Sequence, residues 1–71
     1  MIKTVYLDNV VYQLEADELL TACEQGSYAI FGEAEGWWAV RIDAQGAYAL
    51  SPDPADDRAA ALGIITRHLH H

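Results

Sequence analysis

His68, His70 and His71 are the only imidazoles of the 71-residue chain. A metal pair on a helix needs ligands three or four residues apart on one face, so only His68 with His71 has workable spacing. No thiol or carboxylate stands at ligand spacing beside them, so the tail reads as adventitious or tag-like and no metal site is expected. Cys23 is the single cysteine. It falls late in a short predicted helix, with no His or Lys next to it, which suits a small buried hydrophobe better than a thiolate nucleophile. Glu33 and Glu35 could be imagined as an acid and a base, but they flank a turn where nothing removes water from them. There is no glycine-rich phosphate loop, no Cys-x-x-Cys and no His-Glu-x-x-His. Neither catalysis nor a cofactor is expected, and a domain this small has little room to enclose a pocket.

Trp37-Trp38 carries more information, because adjacent strand residues point to opposite faces. Trp38, Val40 and Ile42 form an apolar set and read as core, whereas Trp37 shares its side with Ala39, Arg41 and Asp43. In the next strand Tyr48 and Leu50 are bulky and Ala47 and Ala49 are small. The Trp37 face is therefore expected to be shallow, lined by Ala39, Ala47 and Ala49 and edged by Arg41. Either a helix or the N-terminal hairpin covers it, or it receives a partner, since Trp, Tyr and Arg are enriched at binding hot spots.

Charge is unevenly spread. Eleven acidic residues face four basic ones, and residues 8 to 57 hold all eleven acids with one base, Arg41. Caps and turns account for several, so an ordinary solvated surface is one reading. The other is an acidic face, with Glu33, Glu35 and Asp43 beside the Trp37 surface, that steers the chain onto a basic protein. A net charge of -7 disfavours direct contact with nucleic acid, whose phosphates are bound through Lys and Arg.

The elements that must position these residues follow from pattern. Lys3–Leu14 alternates as a hairpin about Asp8-Asn9, with Leu7 facing Val10, Val5 facing Tyr12 and Lys3 facing Leu14. Residues 17–25 read as a short helix with Leu19, Leu20 and Cys23 inward, opened by Asp17 and closed by Gly26. Tyr28–Gly32, Trp37–Asp43 and Ala47–Ser51 read as an antiparallel meander, with turns at Ala34-Glu35-Gly36 and Ala44-Gln45-Gly46. Asp53 and Pro54 suit the cap and first position of a helix over about 54–68, with Leu62, Ile65, Leu69 and Ala61 inward and Gly63 placed for a close backbone. The order ββαβββα gives a mainly antiparallel α+β fold in one small acidic domain, residues 1–71.

A chain of this size buries only about 60% of its unfolded surface, so self-association would supplement its core. With one cysteine no internal disulfide can form, and no basic leader or long apolar run is visible. A cytoplasmic protein without a membrane span is expected. Its size, acidity and compact plan resemble phage-borne or mobile-element inhibitors, including anti-CRISPR and anti-restriction proteins. That likeness of type implies a bacterial or phage origin and carries no residue over. The expected function is a non-enzymatic protein-interaction module, a small acidic regulator or inhibitor of a basic, nucleic-acid-handling protein. Homodimerisation through the Trp37 face and small-ligand or metal binding are the alternatives.

Overall fold

The computed structural model describes residues 1–15, 17–18 and 23–70. Five strands and one helix follow in the order β1 (Ile2–Tyr6), β2 (Asn9–Leu14), β3 (Tyr28–Glu33), β4 (Gly36–Asp43), β5 (Gly46–Ala49) and α1 (Arg58–Leu69). The strands lie side by side in sequence order in one sheet, so the class is α+β as the pattern implies. No helix among the described residues is long and apolar enough to cross a membrane.

The first hairpin forms, with its turn one residue earlier than expected. Leu7 and Asp8 both take left-handed backbone, at φ 50° and 64°, which is the two-residue turn that matches strand twist. Asn9 fixes it by donating its side-chain amide to the Leu7 carbonyl at 2.8 Å. Val5 consequently faces Val10, Lys3 faces Tyr12 and Thr4 faces Val11. A turn moved by one residue shifts the pairing by two, so every side chain keeps the face its alternation assigns it.

The sheet is antiparallel except at one seam. β2 and β3 pair in parallel, from Val11 beside Tyr28 to Leu14 beside Phe31. Parallel neighbours need a crossover. Residues 15–27 supply it, and Cys23 packs with Tyr12, Leu14, Ala29, Val40 and Ile42 on the sheet face away from α1. Of the short helix expected over 17–25, Asp17, Glu18 and residues 23–25 are not helical. Residues 19–22, with Leu19 and Leu20, lie outside the described residues.

α1 starts at Arg58, four residues later than Pro54 suggests. Ala55 is held in a strand-like bridge to Trp37, its N–H donating to the Trp37 carbonyl at 2.6 Å and its carbonyl accepting from the Trp37 N–H at 2.8 Å. Backbone committed in this way cannot wind into a helix. Asp57, not Asp53, is the cap, accepting the Ala60 N–H at 2.8 Å. α1 packs over β3 and β4, where Ala61 and Ile65 join Val11, Tyr28, Ile30 and Ala39, with Leu62, Ile64 and Leu69 at the margin. The space beside Gly63 is open, so no close backbone explains that glycine.

Candidate protein-interaction site

The register of the sheet decides which of the expected site residues can act together. Gly32 faces Trp37, Ile30 faces Ala39 and Tyr28 faces Arg41, so the Trp37 side of β4 is the side on which α1 lies. Ala39 is fully buried under the helix. Trp37 is half-buried, and its ring lies over Gly32, where an added Cβ would stand 3.3 Å from ring carbons. Of the two fates expected for this face, cover by a helix is the one found. Trp38, expected as core, is also only half-buried, opposite Phe31 on the other face.

Ala47 and Ala49 do not line the Trp37 face. They pair with Ile42 and Val40 and belong to the opposite side, leaving Tyr48 facing Arg41. Asp43 is separated from Glu33 and Glu35 as well. Glu33 faces Gly36 at the first residue of β4, whereas Asp43 is its last. Eight residues of strand put about 23 Å between the two ends. Asp43 serves its own turn by accepting the Gln45 N–H at 2.9 Å. Arg41 sets its guanidinium 5.9 Å from the centre of the Tyr28 ring, which meets His68 edge-on at 5.8 Å. The buried Nε of Arg41 has no hydrogen-bond partner among the described residues.

The sheet gathers a different set. Because β2 and β3 run in parallel, their C-terminal ends lie together, and β1 and β4 both begin there. α1 begins there too, tied by a 3.0 Å bond from Arg58 Nη1 to Gln13 Oε1. Glu15, Asp17 and Glu18 follow β2, Glu33 and Glu35 flank the β3–β4 turn, and the Trp37–Ala55 bridge brings in Asp53, Asp56 and Asp57. All but Glu18 are exposed. This end thus carries eight of the eleven carboxylates, against Arg58, the amine of Met1 and, one residue into β1, Lys3. The opposite end holds Asp8, Glu24 and Asp43 with Arg41, Arg67, His68 and His70. The chain is therefore polarised along its strands.

Within the acidic end, Glu18 Oε1 takes the Met1 amine at 2.7 Å and the Glu15 N–H at 2.8 Å. The amine bond first, and the Glu15 N–H second, hold the Glu18 carboxyl below its ordinary range. The same bond raises the amine above its own. Asp57 is tied to the Ala60 N–H as the cap of α1, and Glu15, Asp17, Glu33, Glu35, Asp53 and Asp56 are exposed, so most of the charge of this end meets solvent.

The hollow that holds the cysteine gathers no group that would activate it. This hollow, of about 380 Å³ at the opposite end, is lined by Cys23, Asp43 and neighbouring turn residues, without a histidine or lysine. Burial, and then the charge of Glu18, push the Cys23 thiol up, away from the thiolate a nucleophile needs. No cluster of three metal-ligating side chains occurs among the described residues, and His71 lies outside them.

No protein-family model, no curated protein and no solved structure matches this chain. Surface chemistry is then the guide to function.

Sequence reasoning found Glu33 and Glu35 but grouped them with Asp43, and it left Glu15, Asp17, Asp56 and Asp57 out of the site. The missing signal was the parallel seam, which the long gap between Leu14 and Tyr28 announces: it is too long for a tight hairpin and long enough for a crossover. Sequence reasoning placed β1 in the first hairpin but gave it no part in the site, although every residue of it is exposed.

Proposed function

We propose that the protein is a non-enzymatic interaction module, a small acidic regulator or inhibitor that docks its carboxylate-rich end on a basic, nucleic-acid-handling protein. The observation that carries this reading is the collection of eight carboxylates from three separate stretches of chain at one end of the sheet. Local capping accounts for Asp57 and turn geometry for Asp43, but neither accounts for this convergence. A predominantly negative end on a small domain raises encounter rates with a basic cleft and repels nucleic acid, so the natural target is the surface that nucleic acid would otherwise occupy. A phage or mobile-element setting suits such a role.

The test compares two variants that shift net charge equally at opposite ends. Glu35→Lys with Asp56→Asn alters the acidic end; Glu24→Lys with Gln45→Lys alters the other. After the partner is captured from the native host, association rates are measured at low salt. The first variant should associate about ten-fold more slowly and the second within about two-fold of wild type. Equal slowing of both would mean that total charge, and not this end, governs docking.

A further inference from the structure

β1 is an outer edge of the sheet, and among the described residues nothing pairs with its outward side. α1 does not close over it either: an apolar hollow of about 180 Å³ separates Thr4, Tyr6 and Val11 from Leu62, Ile65 and Thr66. Ile2 is 53% exposed on the α1 side of the sheet and Val5 is 62% exposed on the other. A helix laid on the sheet would cover one of these residues. An added strand shields both, because its side chains alternate between the two faces.

The ladder specifies which strand fits. Across a two-residue turn Tyr6 and Asn9 form the hydrogen-bonded pair, so Thr4 and Ile2 also direct their backbone groups to β2. Lys3 and Val5 direct theirs outward. We propose that β1 pairs antiparallel with β1 of a second copy, centred on Thr4 facing Thr4, to join two sheets into one of ten strands. In this register Lys3 of each copy faces Val5 of the other, and all four outward N–H and C=O groups of those residues are bonded reciprocally. No lysine opposes a lysine.

Charge favours a second copy on this edge. Residues 1 to 7 hold no carboxylate and the chain's only lysine, so β1 is the least repulsive approach between two molecules of net charge -7. Antiparallel pairing also sets the acidic end of each copy beside the other's Tyr6, whose hydroxyl lies 3.2 Å from His70 Nε2. Glu33 and Glu35 flank the turn between β3 and β4, and Asp56 follows the Ala55 bridge to β4, two or three strands from the seam, so the docking variant proposed above leaves the dimer contacts in place.

Sedimentation equilibrium of the full chain from about 10 μM to about 1 mM should show a monomer–dimer equilibrium. Val5→Glu should tighten it several-fold, because each new carboxylate faces the partner's Lys3. Val5→Lys should weaken it about ten-fold, by opposing two lysines across the seam. Net charge alone would give the reverse order, since Glu makes an acidic chain more acidic. A wild type that stays monomeric throughout overturns the proposal. So does a pair of variants that shift the equilibrium in the same direction or in the reverse order.

Discussion

Beyond β5 the chain runs on along β4: the Leu50 N–H bonds to the Ala39 carbonyl, and Ala55 bridges Trp37. Beyond β1, among the described residues, there is nothing. The outer side of β4 is thus shared by β5 and the segment leading into α1, with Pro52 and Pro54 interrupting the ladder, while β1 presents apolar side chains and open backbone along its whole length. Chain laid along β4 in this way leaves only the four residues of β5 as outer edge on that side, against the full length of β1 on the other. The contrast separates the part of the sheet that holds the fold together from the part that remains available.

Removing the packing on the closed side should have the largest effect. Ile65 is 1% exposed between α1 and the sheet. Ile65→Ala should cost about 2–5 kcal/mol in urea unfolding, a large share of what a domain this size possesses. Gly36→Ala tests the edge segment itself. Gly36 has φ 141°, and an added Cβ would come within 2.5 Å of the Ala55 carbonyl oxygen, backbone against backbone. A loss of about 1–3 kcal/mol is expected, with faster amide exchange at Ala55 than elsewhere in the sheet. Val5→Ala, on the open edge, should change unfolding in dilute solution by less than about 0.5 kcal/mol. A Val5 effect as large as that of Ile65 would erase the distinction between the two sides.

Most strands are legible because local chemistry places them: Gly36 and Gly46 open β4 and β5 at left-handed backbone, and Asn9 closes the first turn. Faces are harder, because parity depends on turn length. Reading Ala44-Gln45-Gly46 as a three-residue turn makes Asp43 face Ala47 and puts Ala47 and Ala49 beside Trp37. The turn has two residues, Asp43 faces Gly46, and both alanines move to the other side. The start of α1 was hidden for a different reason. Pro54 suits a first helical position, and only its distant neighbour Trp37, through Ala55, keeps the segment extended. The acidic end shares that non-local origin. Its carboxylates are visible in the sequence, but their convergence depends on the direction of β3 relative to β2.

That parallel seam also divides the chain by the distance contacts must travel. β1 with β2, and β3 with β4 and β5, are hairpins whose partners are near neighbours in sequence, so each closes over a short loop. The four residue pairs joining β2 to β3 close only after residues 15–27 have looped back, at greater cost in chain entropy. The protein is, kinetically, two local units and one slow clasp, and the clasp is what brings its charge to one end.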